Sequence, residues 1–116
     1  MKKTLMTGAI ALALAAGLAS CTPEQRVSMA INAEFPEVAQ QATAVAKCES
    51  GLDPEAVSPG GGNVGLFQIN SVHRGKVADM GYSWDDLKDP FVNARVARSI
   101  YDEANGWGPW SCRRVL

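Results

Sequence analysis

One carboxyl sits where a helix pattern calls for an apolar side chain. Val38, Ala42 and Val45 follow at four- and three-residue spacing, and four more residues lead to Glu49. That spacing lays all four on one face of a helix. A carboxyl at the end of a buried stripe is desolvated, and the negative end of the helix dipole disfavours a second negative charge. Both effects raise its pKa. A glutamic acid held protonated near neutral pH can serve as a general acid. Position alone leaves another reading open, in which Glu49 is a solvated residue at a frayed helix end.

The elements that must hold Glu49 can be read on either side of it. Thr22, Pro23 and Gln25 make a capping-box start for a short helix or tether reaching about Phe35. Pro36 restarts the chain, with Glu37 in a favourable first turn, and the pattern is helical to Ser50, with Gly51 as its stop. GLDPEAVSPGGGN, residues 51–63, is turn chemistry throughout. VGLFQIN, residues 64–70, predicts a short strand or extended segment, with Gln68 and Asn70 on one side and Phe67 and Ile69 on the other. Val72 to Met80 reads as a short helix, and Ser83 and Asp86 stand in capping-box positions. The clearest helix follows Asp89 as N-cap and Pro90 as first residue, and Gly106 ends it. The expected fold class is mainly α, an α+β arrangement of one small helical domain with a short extended patch.

The chain has 116 residues, room for one small domain. Its first residues, MKKTLMTGAIALALAAGLASC, combine two lysines, an apolar run and small residues, the three-part pattern of a secretion signal. The run is short for a membrane span, which needs ~20 apolar residues. Leu18-Ala19-Ser20-Cys21 resembles a bacterial lipobox. That likeness implies a signal peptide over residues 1–20, lipid on Cys21, and membrane attachment through it. An ordinary cleaved signal with an incidental cysteine is the alternative. With Cys21 lipidated, Cys48 and Cys112 remain as one disulfide pair in an oxidising compartment. His73 has no ligand pair at usable spacing, so no metal or other cofactor is expected. The formal charge is −1, and without Lys2 and Lys3 the count falls by two, to −3. No basic stripe appears, which argues against nucleic acid. Arg113 and Arg114 read as a solvated tail. A monomer is expected.

Four stretches in order resemble the lysozyme superfamily, above all its small bacterial and phage soluble-lytic-transglycosylase-like domains. They are Glu49-Ser50, then Gly65-Leu66-Phe67-Gln68-Ile69-Asn70, then Asp89-Pro90 with Asn93 and Ala97, and finally Trp107-Gly108-Pro109-Trp110-Ser111-Cys112. The likeness covers roughly residues 38–112, and the domain is expected over residues 36–116, with residues 21–35 as a lipid-anchored helix or tether. It implies an exported, envelope-facing enzyme that cleaves peptidoglycan glycan strands, with Glu49 as the acid. If the host has an outer membrane, Thr22 after the cysteine points there. Gln68 and Asn70 would hydrogen-bond the N-acetyl groups of the sugar chain. Ser50 either orients Glu49 or caps the helix end. Tyr101 either approaches Glu49, as a tyrosine on this helix does in the transglycosylase branch, or packs in the core. Trp107 and Trp110 either stack on sugar or close the core; core is the favoured reading for both, with Trp107 the better candidate for sugar contact. His73 is expected at the surface beside the cleft.

One departure matters. Hydrolysing lysozymes often use a second carboxylate, as nucleophile or as base for water. In the animal-type arrangement it precedes the glycine of the G-[LI]-[LF]-Q-I-N segment by two residues. Here that position is Asn63, an amide that can do neither. Asn63 could instead orient the substrate's N-acetyl group, whose assistance lets a lytic transglycosylase form a 1,6-anhydro end without a second carboxylate. A hydrolase is the alternative, as is a non-catalytic glycan-binding module of an envelope or phage assembly, since fold does not fix function.

Overall fold

The computed structural model describes residues 20–116; the leader expected over residues 1–20 lies outside them but for Ser20. Among these residues the helices are α1 (Pro23–Glu34), α2 (Ala39–Ser50), α3 (Arg74–Asp79) and α4 (Pro90–Ala104). Between α2 and α3 lies an antiparallel hairpin of β1 (Asn63–Val64) and β2 (Ile69–Asn70). Short 3-10 segments at Pro36–Val38, Pro59–Gly61, Ser71–His73, Trp84–Lys88 and Ser111–Val115 complete the chain. This is the mainly helical α+β class that the sequence implies.

Side-chain caps set the helix starts. Thr22 Oγ1 accepts from the Gln25 N–H at 3.1 Å, and Gln25 Oε1 accepts from the Thr22 N–H at 2.8 Å. Ser83 and Asp86 repeat this exchange, and Asp89 caps α4 by accepting from Phe91 and Val92. A cap of this kind satisfies an orphan backbone donor and is worth ~1 kcal/mol. The helix expected from Pro36 to Ser50 is divided. Phe35 and Val38 leave the helical region of backbone space, so Pro36–Val38 forms a separate turn and α2 begins at Ala39. Gly51 stops α2 with a left-handed φ of 66°. At the end of α4 Asn105 takes the left-handed position, one residue before Gly106.

α1 is part of the packed domain and not a tether ahead of it. It buries Val27, Ala30 and Ile31 and leads into Phe35, which has no exposed surface. Burial of side chains this large stabilises by ~1.5–3 kcal/mol each, so α1 is held to the helices it covers. Phe35 is the centre of an aromatic cluster. Trp107 stacks on it at 5.2 Å, Phe67 lies tilted at 5.4 Å, and Tyr101 meets it edge-on at 5.6 Å.

VGLFQIN is not one extended segment. Gly65, at φ 80°, turns the chain back so that Asn63 pairs with Asn70 and Val64 with Ile69. Phe67 and Ile69 are buried as expected, and so is Leu66. The turn between the strands is held by one side chain from α4. Asn93, wholly buried, accepts from the Phe67 N–H at 2.8 Å and donates to the Val64 and Leu87 carbonyls, both at 2.9 Å. A Cβ at Gly65 would come within 2.3 Å of Asn93 Nδ2 and of the Leu87 oxygen, so only glycine admits this approach. Opposite the hairpin, Cys48 at the end of α2 is disulfide-bonded to Cys112 across 64 residues of chain, Cα atoms 5.9 Å apart. Closing a loop of that length is worth ~4 kcal/mol in the chain-entropy model.

Asn93→Ala would strand a buried N–H and two carbonyls, each an unsatisfied group costing about 1–3 kcal/mol. We expect a loss of ~3 kcal/mol and a melting temperature lower by roughly 10–20 °C, measured by scanning calorimetry. A shift under about 3 °C would contradict the role given to Asn93.

Candidate active site

A cleft of about 510 Å3 lies where α2, the hairpin and the C-terminal segment meet. α2 contributes Glu49, from its last turn. The hairpin contributes Asn63, Gln68, Ile69 and Asn70, and the turn after it contributes Val72 and His73. α4 supplies Ile100, and the segment before Cys112 supplies Pro109, Trp110 and Ser111. Polar groups and apolar surface thus converge on one half-buried carboxyl, as ligand clefts commonly require.

Glu49 is held from two directions. Its Oε2 accepts from the Cys112 N–H at 3.2 Å, which ties the carboxyl to the C-terminal segment. Ser50, the next residue, donates to Ala46 O at 3.0 Å and to Leu66 O at 2.6 Å. The shared hydroxyl bonds the end of α2 to the hairpin turn, and so fixes the distance between Glu49 and the opposing amides. Ser50 itself does not line the cleft.

Across the cleft, the two asparagines form a fixed chain. Asn70 Nδ2 donates to Asn63 Oδ1 at 2.9 Å, Asn63 Nδ2 donates to Ser58 Oγ at 3.2 Å, and Asn70 Oδ1 accepts from the Val72 N–H. Gln68 reaches the cleft from a turn position with φ 49°, not from strand alternation. Its Nε2 donates to Ala56 O and Gly65 O, both at 3.0 Å, which clamps the preceding loop under the hairpin. Glu49 is the only carboxyl among the described cleft-lining residues. Asp53 and Glu55 stay in their own turn, where Asp53 Oδ1 accepts from the Glu55 N–H at 2.9 Å.

Tyr101 and Trp107 stand apart from this lining. α4 presents Ile100 to the cleft, and one residue on, about 100° around the helix, Tyr101 packs against Trp107 at 4.7 Å and against Phe35. Of the two alternatives for Tyr101, core packing is what its contacts describe. Trp107 is buried, with its Nε1 donating to Gln41 Oε1 at 3.0 Å. Trp110 is buried as well, 5 % exposed, packed against Phe67 and Trp107 with its Nε1 donating to Phe67 O at 3.0 Å, and it borders the cleft from within the core. A signal for Trp110 was present in the sequence. It lies two residues from Cys112, and a bond from Cys112 to Cys48 brings it beside Glu49. Cys21 is described, with its Sγ 4.0 Å from Met29 Sδ on the exposed side of α1.

The sequence matches the family model of the lysozyme-like domain over residues 27–112. The chain belongs to the lysozyme-like domain family. No curated protein and no solved structure matches it significantly. The lysozyme-like match opens at Val27, the first buried residue of α1, and closes at Cys112, so it takes in both the helix ahead of residue 36 and the disulfide. A lysozyme-like domain is one that acts on peptidoglycan. Among the described residues no helix is long and apolar enough to cross a membrane, and no cluster of His, Cys, Asp and Glu could hold a metal ion.

Besides Glu49, the titratable group lining the lysozyme-like cleft is His73. Burial pushes its imidazole below the ordinary 6.5, and the nearby Lys76 ammonium pushes the same way against a smaller opposing effect of Glu103. A histidine depressed in the folded state contributes stability that is present above its unfolded pKa and is lost as pH falls through the folded value. The protein is therefore expected to lose melting temperature between about pH 7 and pH 5, and His73→Gln is expected to lose less. Thermal melts across that range decide it; parallel curves for the two proteins would remove His73 as the cause.

Proposed function

We propose that this lysozyme-like domain cleaves peptidoglycan glycan strands between N-acetylmuramic acid and N-acetylglucosamine as a lytic transglycosylase. The observation that carries this reading is a cleft lined, among the described residues, by one carboxyl. A hydrolase of the two-carboxylate kind needs a second, ~5–5.5 Å away as nucleophile or ~6.5–9.5 Å away as base for water. Asn63, Asn70, Gln68 and His73 occupy the cleft instead.

The chemistry then runs through Glu49 alone. As the glycosidic C1–O4 bond breaks, the carboxyl gives its proton to O4, and the carbonyl oxygen of the muramic acid's own N-acetyl group supports the positive charge at C1. The resulting Glu49 carboxylate next takes the proton of the 6-hydroxyl while O6 bonds to C1. A 1,6-anhydro end forms, Glu49 is protonated again, and no water is consumed. Asn63, with its amide fixed by Ser58 and Asn70, is suited to orient the N-acetyl group, and Gln68 and Asn70 to hold the strand. Pro109, exposed beside the cleft, offers apolar surface to a sugar face. Ser50 acts by locking the end of α2 to Leu66. In this reading the protein works outside the cytoplasm as a monomer, attached to the envelope through lipid on Cys21.

The purified protein and its Glu49→Gln variant are incubated with peptidoglycan, and released muropeptides are weighed by mass spectrometry. We expect products one water lighter than reducing-end muropeptides, and at least a hundredfold less of them from the variant, since removing a general acid costs about 10²–10⁴ in rate. Reducing-end products would mean hydrolysis. Folded protein that sediments with the glycan but releases nothing would mean a binding module.

A further inference from the structure

We propose that the Cys48–Cys112 disulfide is a positioning element for the Glu49 carboxyl, required for turnover and not for holding the glycan. This rests on Glu49 being the catalytic acid. The two half-cystines bracket that residue in different ways. Cys48 precedes Glu49 in the last turn of α2, and Cys112 supplies the backbone N–H that bonds to Glu49 Oε2 at 3.2 Å. The disulfide thus joins the backbone that carries the carboxyl to the backbone that orients it.

Other bonds converge on the same joint. Cys112 is buried, 4 % exposed, and is the second residue of the 3-10 segment Ser111–Val115. Ahead of it, Pro109, Trp110 and Ser111 form a cleft wall, anchored to the hairpin turn by Trp110 Nε1 on Phe67 O and braced within itself by Arg113 Nη1 donating to Trp110 O at 2.9 Å and Gly108 O at 3.3 Å. Those anchors are independent of the disulfide. Without the bridge the buried Trp110 and its bond to Phe67 O keep the wall against the core, while nothing covalent keeps the Cys112 N–H on the carboxyl. The opposing amides, Asn63, Gln68 and Asn70, depend on Ser58, Ala56, Gly65 and Val72 and on no cysteine. Strand binding and carboxyl orientation are therefore separable in this fold. An acid that can rotate away from the glycosidic oxygen loses rate steeply, since a misplacement of about 1 Å can cost on the order of a hundredfold.

The test compares the full chain with its Cys48→Ala/Cys112→Ala variant, with Glu49→Gln as control. Far-UV circular dichroism checks the fold, sedimentation with peptidoglycan reads binding, and anhydro-muropeptide release reads turnover. Expected is a folded variant that binds within about threefold of the wild type and turns over about ten- to a hundredfold more slowly. A folded variant with turnover within about twofold would overturn the proposal, and so would an equal loss of binding and turnover. If the variant does not fold, the intact protein decides. NMR follows the Cys112 amide proton as Glu49 is titrated. A Cys112 shift that tracks the Glu49 carboxyl carbon, and is absent in Glu49→Gln, supports the proposal; a Cys112 amide that does not respond overturns it. Glu49→Gln that keeps full turnover would instead sink the catalytic reading itself, and the proposal with it.

Discussion

A single buried amide holds the molecule's cleft in shape. Asn93 contributes no chemistry, yet two of its three hydrogen bonds supply partners to the hairpin, at the Phe67 N–H and the Val64 carbonyl, and the third ties it to the Leu87 carbonyl ahead of α4. A buried amide in a low-dielectric interior is costly if unpaired and strong if satisfied, so the turn has one arrangement and not several. Gly65 is the other half of this constraint, because the approach of Asn93 leaves no volume for a Cβ. With the turn fixed, Leu66 offers its carbonyl to Ser50, Phe67 offers its carbonyl to Trp110, and Gln68 points into the cleft. Both walls of the site are therefore hung from the same four-residue turn.

That dependence explains which parts of the site could be read before the fold was known. Glu49 was legible because helical spacing is a local rule, and its stripe ends where Gly51 ends the helix. The caps at Thr22, Ser83 and Asp89 were legible for the same reason, each being a side chain that satisfies an N–H two or three residues away. Asn70 reaches the cleft by strand alternation, opposite buried Ile69 in β2, whereas Gln68 reaches it from a turn position with positive φ. A period-2 pattern over seven residues cannot distinguish one strand from a hairpin whose strands are two residues long. The partner that decides between them, Asn93, is 26 residues or more from the atoms it binds in the turn.

Trp107 and Trp110 show the same limit. Both are large aromatics in one short segment, and their roles depend on which side of the disulfide-tethered loop each faces. Trp107 completes the stack around Phe35, and Trp110, buried against Phe67 and Trp107, also borders the cleft. Tyr101 and Ile100 divide similarly on α4, by one step of 100°. Residues 23–34 admit either a helix or a tether on local pattern, and their three buried residues, Val27, Ala30 and Ile31, are few for a helix of the packed domain. They suffice because Phe35 follows them into the centre of the core.

The account turns on a sugar chain lying between the hairpin amides and Trp110, with its scissile oxygen at Glu49. The most direct measurement is a crystal structure of the Glu49→Gln variant with a bound peptidoglycan tetrasaccharide. The account predicts a glycosidic oxygen within hydrogen-bond reach, about 2.6–3.2 Å, of the side chain at position 49, with an N-acetyl group against Asn63. A tetrasaccharide seated elsewhere on the surface, with no glycosidic oxygen near that side chain, would contradict it.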